Sequence, residues 1–361
     1  MIVRNSKFVS DPFGDGGSKR STQIEELLKE NGCEYVNDPF ALPKGLPFVD
    51  LFKLSVRAFN FIRKNVGWKN YSGIRSKIHA IKYFALRLPV IFDKYSGKDV
   101  TFIWESTASG NYGYPYLMKA AGAKVIAFPH NLESLVPTQS DIQTGKVAPD
   151  WLADEIERLK LCDKVFTISR EECWLLRQYG IDAAYLPYYP PREAERFLLG
   201  IRAKRVVRKP NDRTKFLLLG SATNPPTRKG MQELLDETAK LNLCFDVYVA
   251  GHQTESLSVP SHLSIHPLGT LGKEDLERLL VCVDAVLICQ PPTSGALTRI
   301  PEMLVAGIPV FANFNAARSF HDTCDVTVYQ TFDELFSCLT AFRPHVAADI
   351  GRQKLAKILD P

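Results

Sequence analysis

The chain of 361 residues has no apolar run long enough to span a bilayer; the stretch from Leu279 to Cys289 is short and carries Asp284. It has no C-x-x-C pair and no histidine cluster at ligand spacing, which argues against structural zinc. The eight cysteines, at 33, 162, 173, 244, 282, 289, 324 and 338, are scattered through apolar patterns of a large chain and read as reduced thiols rather than a disulfide framework. No two aspartates are separated by one residue, so nothing supports an Asp-x-Asp metal site, and no metal ligand is nominated. No G-x-G-x-x-G joins the first strand to the first helix, which removes the dinucleotide fingerprint. Acidic residues are missing altogether from Leu51 through Phe92.

What is present suits a soluble globular protein: 45% apolar and 24% charged residues, with a length that accommodates two domains, each with its own core. The net charge of +5 is too small to select a partner. Met1 is followed by Ile2, Val3, Arg4 and Asn5 rather than by a charged-then-apolar export signal, so a cytoplasmic location is expected. Short apolar runs alternate with helical patterns twice over, the signature of two α/β domains. In the first, strands are predicted at Lys7–Ser10, Val100–Trp104, Val125–Phe128, Val165–Ile168 and Ala184–Leu186, with helices such as Thr22–Glu30 and Glu171–Tyr179 between them. Prolines 187, 190, 191 and 210, with Arg202, Lys204, Arg205, Arg208 and Lys209, predict an exposed linker over 191–214 between domains at 1–190 and 215–361. In the second domain the strands are Phe216–Leu219, Asp246–Ala250, Leu263–His266, Ala285–Ile288 and Val310–Ala312, with helices at Gly230–Leu241, Glu274–Val281, Phe332–Phe342 and His345–Leu359. Ligands of doubly wound sheets bind at the carboxyl ends of the strands, so residues just after each strand are the candidates.

The richest such segment is Thr293–Val310, T-S-G-A-L-T-R-I-P-E-M-L-V-A-G-I-P-V. Gly295 feeds a short helix opening near Ile300, with Arg299 at its mouth and Glu302 in its first turn, a combination suited to a diphosphate and a sugar hydroxyl. An incidental loop-helix-strand junction would read the same way. Residues 220–230, G-S-A-T-N-P-P-T-R-K-G, offer small residues that let a ligand approach, then Arg228 and Lys229; a proline-closed loop with two solvated cations is the plain alternative. Gly251-His252 and His266-Pro267-Leu268-Gly269 follow the next two strands. The pattern Ser-Gly-x3-Arg-x2-Glu followed by Ala-Gly-Ile-Pro-Val, with these loops in the same order, resembles the donor half of family-4-type GT-B glycosyltransferases.

The resemblance implies an α/β fold of the GT-B class, with two Rossmann-like doubly wound domains facing a central cleft. It implies transfer of a sugar from a nucleotide-sugar donor, such as a UDP- or GDP-sugar, to a glycan or lipid-linked acceptor, with retention and no further cofactor, and the missing Asp-x-Asp predicts catalysis without metal. The implied donor site is Gly220, Ser221, Asn224, Arg228, Lys229, Gly251, Leu268, Gly269, Ser294, Gly295, Ala296, Leu297, Thr298, Arg299 and Glu302. Glu302 would bind the ribose, and Leu268 and Gly269 would read the base; without an Asp-x-Asp metal site, Arg228, Lys229, Arg299 and helix ends would have to neutralise the leaving diphosphate. The family pattern has a second glutamate where this chain has Ser294, which leaves the donor sugar open. It also keeps two other readings alive, a nucleotide-sugar epimerase of the same shape and a catalytically degenerate binding or scaffold protein. In the first domain the stretch with Gly14, Gly16 and Gly17 resembles the loop that approaches the diphosphate or acceptor, although a flexible turn fits as well. His130-Asn131-Leu132-Glu133 resembles the family's His-Asn-x-Glu segment, so His130, Asn131 and Glu105 are nominated for the acceptor side. His130, whose titration range suits proton exchange, joins Arg299, Lys229 and Glu302 as a catalytic candidate.

The acid-free segment carries Lys53, Arg57, Arg63, Lys64, Lys69, Arg75, Lys77, Lys82 and Arg87, interleaved with Phe52, Phe59, Phe61, Trp68, Tyr71, Tyr83 and Phe84. Phe59, Ile62 and Val66, then Ile74, Ile78 and Ile81, recur at helical spacing and predict basic amphipathic helices over 46–93. Such helices suit an anionic membrane surface. An acidic polysaccharide and a plain solvated face are alternatives, and no reader motif favours nucleic acid.

Overall fold

The computed structural model describes residues 1–6, 8–37, 48–68, 71, 73–105, 111–136, 151–241, 243–261 and 263–352. Its described residues form two compact units, one of residues 1–10 and 24–187, the other of residues 11–23 and 188–352. All eight cysteines are free thiols.

The first unit is built on a parallel sheet of β1 (Ile2–Asn5), β2 (Tyr35–Asn37), β3 (Thr101–Glu105), β4 (Lys124–Phe128), β5 (Lys164–Thr167) and β6 (Ala183–Tyr185), in the order β2-β1-β3-β4-β5-β6. Its opening strand differs from the expected Lys7–Ser10: residues 2–5 pair in register with Thr101–Trp104, residue 7 lies outside the described residues, and Val9 is exposed. A charged residue at the centre of I-V-R-N hides the strand, because Arg4 is buried in an ion pair rather than solvated. Helix α1 (Gly16–Glu30) starts well before the expected Thr22 and runs from the second unit into the first. The helices α2 (Phe48–Phe61), continued by a π-helical turn at Ile62–Val66, and α3 (Gly73–Tyr95) pack on one another and send Ala58, Ile62, Val66, Ala80, Phe84 and Ile91 into the core with Phe102 and Trp104. Thus Ile62 and Val66 face inward, whereas Phe59, Ile74 and Ile78, expected on the same stripes, are exposed. Helices α4 (Tyr114–Ala120), α5 (Trp151–Leu159) and α6 (Arg170–Gln178) complete this unit.

In the second unit β7 (Lys215–Leu219), β8 (Asp246–Ala250), β9 (Ile265–Gly269), β10 (Ala285–Ile288), β11 (Val310–Asn313) and β12 (Val326–Tyr329) form another parallel sheet, in the order β12-β11-β10-β7-β8-β9. Successive side chains alternate between its faces. Leu217, Val286, Ile288, Val310 and Ala312 join one apolar cluster, while Phe216, Leu218, Ala285, Leu287 and Phe311 join the other. The first cluster is covered by α7 (Arg192–Val207), α9 (Lys273–Cys282) and α10 (Arg299–Val305). The second is covered by α8 (Pro225–Thr238) and α12 (Phe332–Ala341), and α11 (Phe314–Ala317) follows β11.

The segment 191–214 is not an exposed linker, for most of it is α7. Ala194, Leu198, Ile201 and Arg205 fall on one buried helical stripe, and Pro191 sits at the N-cap, where its missing N–H costs no helical bond. Its cations are structural: Arg205 donates to the carbonyls of Gly307 and Leu280 at 3.1 and 2.8 Å, and Arg202 donates to Val305 and Ala347 at 2.9 and 2.7 Å. The carbonyls of Leu280, Val305 and Gly307 are ones that the ends of α9 and α10 leave without intrahelical partners. Residues 345–352 of the expected last helix are not helical; Asp325 accepts from Ala348 N at 2.7 Å, and Arg202 holds the Ala347 carbonyl, while 353–359 lie outside the described residues.

Candidate functional site

In the second unit the loops after β7, β8 and β9 crowd together. Gly251 N donates to Gly269 O at 2.9 Å and Gly220 N to Ala250 O at 3.1 Å. Gly251 adopts φ +128°, and a Cβ there would collide with the Gly220 carbonyl, so glycine is required on both counts. A Cβ on Gly269 would meet the Glu255 carboxylate, which accepts from Thr270 N at 2.7 Å. Leu268 beside it is exposed.

Asn224 caps α8, its side chain accepting from Thr227 N at 3.1 Å, and Ser221 pairs with Thr223 at 2.6 Å. Gly230 carries α8 against the end of β10 so closely that a Cβ would overlap the Cys289 carbonyl. Arg228 donates to Ser256 Oγ at 2.8 Å and Ser256 O at 2.9 Å, and Lys229 projects outward with Glu233 3.9 Å away. Neither cation is directed at Arg299 by any of these contacts.

Arg299 does lie against the glycine loop. Its guanidinium donates to Leu219 O and reaches Thr227 Oγ1 at 3.4 Å, and a Cβ on Gly220 would strike it. Burial pulls its pKa down to about 10, against the opposing pull of Glu302. Gln290 joins this group, its amide donating to Thr227 at 3.3 Å, while Asn313 and Gln290 exchange two bonds at 3.1 and 2.8 Å that fix the loop after β10. Gly295, at φ +77°, gives its carbonyl to Arg318; Ser294 is half-buried, Ala296 and Leu297 pack partly on the core, and Thr298 opens α10. Glu302 is buried, with Lys19 Nζ 2.9 Å away and Tyr188 OH donating to Oε1 at 2.8 Å. Gly14, Gly16 and Gly17 lie on the segment 11–23 that belongs to this same unit: Gly14 N donates to Asp11 O at 3.3 Å, and Gly16 and Gly17 open α1, Gly16 facing Thr298.

In the first unit the other nominees gather after β1, β3 and β4. Glu105 is fully buried; Arg4 Nε donates to it, Ser6 Oγ donates at 2.8 Å and His130 Nε2 lies 3.7 Å away. Burial raises the Glu105 pKa, but His130 and Arg4 outweigh it and hold the carboxyl at about 2. His130 is stacked on Phe8, centroids 4.8 Å apart. Its loop is hung on two buried carboxylates: Glu172 accepts from Leu132 N at 2.9 Å and Glu155 from Glu133 N and Ser134 N at 3.0 Å each. Asn131, just before these anchored residues, is half-buried.

Sequence reasoning missed Lys19, Tyr188, Thr227 and Gln290 in one unit and Arg4, Ser6 and Phe8 in the other. Arg4 had a signal, a cation in an otherwise apolar strand; Lys19 had none, since its partner is 283 positions away. Among the described residues no group of three His, Cys, Asp or Glu could hold a metal ion, and no helix is long and apolar enough to cross a membrane.

No protein-family model matches the chain, and no curated protein sequence does. Solved structures do match. Sucrose-phosphate synthase from Thermosynechococcus elongatus is similar at TM-score 0.54 and 15% identity, over 94% of this chain and 89% of that one. A UDP-forming α,α-trehalose-phosphate synthase from Burkholderia xenovorans, in complex with glucose-6-phosphate, gives 0.56 and 11% over 94% and 91%. Anabaena HepE in complex with UDP gives 0.55 and 12% over 94% and 89%. The fold is GT-B. At such identities the likeness speaks for the fold, with its two Rossmann-like parallel sheets, and the GT-B expectation from the sequence stands.

Proposed function

We propose that the protein is a glycosyltransferase that moves a sugar from a nucleotide-sugar donor to a glycan or lipid-linked acceptor, with retention and without a metal or other cofactor. The observation that carries the reading is the convergence, in one GT-B Rossmann-like unit, of the Gly220 and Gly251 loops, Arg299 and the Glu302 carboxylate. Glycine at 220 and 251 keeps side chains out of the path of a diphosphate to these loops, and a buried carboxylate gives a ribose hydroxyl an acceptor. The similar structures support the donor class, since one is called UDP-forming and another holds UDP. Lys229 and Arg228, exposed at the start of α8, supply further positive charge for the leaving group. On the acceptor side, Glu105 stays ionised and fixes the imidazole of His130, which offers a proton-exchanging group to the reacting hydroxyl.

The helices α2 and α3 are proposed to rest on an anionic membrane. Phe52, Val56, Phe59, Ile74 and Ile78 are 44% to 76% exposed, among the exposed cations Lys53, Arg57, Arg63, Lys64, Arg75, Lys77 and Lys82; Lys69 lies outside the described residues. Apolar side chains enter the headgroup zone while the cations meet its charge, which fits a cytoplasmic enzyme working peripherally on a lipid-linked acceptor.

A metal-free assay of UDP or GDP release across a panel of nucleotide sugars tests the transfer. Slow release from one donor is expected, and Arg299→Ala or Lys229→Ala should lower turnover more than binding. Tight binding with no turnover under any acceptor would instead favour a binding or scaffold protein, the reading that Ser294 motivates.

A further inference from the structure

Glu302 is held by residues that no feature of its own segment foretells. Lys19 Nζ lies 2.9 Å from its carboxylate and Tyr188 OH 2.8 Å, both Glu302 and Tyr188 are buried, and the Lys19 side chain is 19% exposed. Lys19 sits in the first turn of α1, on a segment anchored to the rest of this unit by a second contact set. Phe13 packs edge-on to Phe197 with centroids 5.9 Å apart, and Lys273 Nζ lies 4.5 and 5.2 Å from the two ring centres. Segment 11–23 therefore carries Lys19 to Glu302 as a fixed part of the unit rather than as a passing surface contact.

We infer that Lys19 is a positioning and specificity residue of the nucleotide site, acting through Glu302 to make that site selective for nucleoside diphosphates; this rests on the function proposed above. A carboxylate offered to a ribose diol must be ionised and turned so that lone pairs remain for the ligand. Tyr188 sets its rotation by occupying Oε1, Lys19 lies 2.9 Å from both oxygens, and a lone pair on Oε2 is left as acceptor for the ligand. The same carboxylate repels a diphosphate carried on the ribose, and the repulsion is strong because the group is withdrawn from water. Lys19 cancels that charge where it arises. Without Lys19, a bare nucleoside still finds the carboxylate, but a diphosphate approaches an uncompensated anion.

The test is titration calorimetry of UDP, GDP and their nucleosides against wild type, Lys19→Met, Lys19→Gln, Lys19→Arg and Glu302→Gln, with Lys19→Met also placed in the Glu302→Gln background. Lys19→Met and Lys19→Gln are expected to weaken the diphosphate at least tenfold and the nucleoside much less, with Lys19→Arg restoring most of the loss. In the Glu302→Gln background Lys19→Met should change little, because the charge it offsets is gone. If Lys19→Met binds the diphosphate as wild type does, or loses the same factor in both backgrounds, the inference is wrong while the nucleotide site stands. If wild type binds no nucleoside diphosphate, the proposed function itself fails, and the role of Lys19 fails with it.

Discussion

Replacing Glu105 by Gln removes one charge from the most deeply buried ionic cluster of the first unit while keeping the shape of the side chain. Glu105 has its pKa lowered from 4.5 to about 2, so its contribution to stability is fully present above pH 4.5 and is lost as pH falls toward 2. A difference of that size corresponds to about 3 kcal/mol at pH 7 and about 1 kcal/mol at pH 3. Arg4 keeps Glu25 and Tyr35, each at 3.4 Å, so the variant should fold, with Arg4 less well compensated. All four tryptophans, Trp68, Trp104, Trp151 and Trp174, fall within residues 24–187, so their fluorescence follows this unit alone. Urea unfolding of wild type and Glu105→Gln by tryptophan emission should therefore give a gap that narrows by more than half between pH 7 and pH 3. A gap that stays constant with pH would refute the claim that Arg4 and His130 hold Glu105 ionised, and a gap near zero at pH 7 would refute the cluster's contribution altogether.

Other expectations concern the second unit and the basic helices. Gly230→Ala forces a Cβ into the Cys289 carbonyl and should cost about 3 kcal/mol, read by far-UV circular dichroism, together with a loss of nucleotide affinity as α8 shifts; an unchanged midpoint would contradict the packing. Arg205→Met takes its donor from the carbonyl of Leu280 and leaves that of Gly307 with Ala347 N alone, at a cost of roughly 2 kcal/mol or more by the same measurement. Phe52→Glu with Ile74→Glu should abolish sedimentation with anionic vesicles and leave the melting temperature unchanged, since both side chains are already exposed; retained sedimentation would remove the membrane role of α2 and α3.

The strands most easily read from sequence are those whose apolar runs are buried on both faces: β8 and β10 coincide with expectation, and β7 and β11 differ by a residue. The edge strands β2 and β12 were not foreseen, because three or four residues with half-buried or exposed positions carry too little pattern. β1 and α7 escaped for one physical reason, that buried arginines satisfied by a carboxylate or by helix-end carbonyls look like solvated charge in a sequence. Within the candidate site, glycine positions and the Arg299 and Glu302 pair were readable because backbone approach and charge leave local signatures. Their partners were not, since Lys19 and Tyr188 reach Glu302 only through the fold.

Glu302 and the Gly220 and Gly251 loops are proposed to bind a nucleoside diphosphate. Calorimetric titration of UDP and GDP into wild type and Glu302→Ala tests it directly. One-to-one binding of one of them, weakened at least tenfold by the substitution, is expected. No binding by wild type, or equal binding by Glu302→Ala, would contradict it.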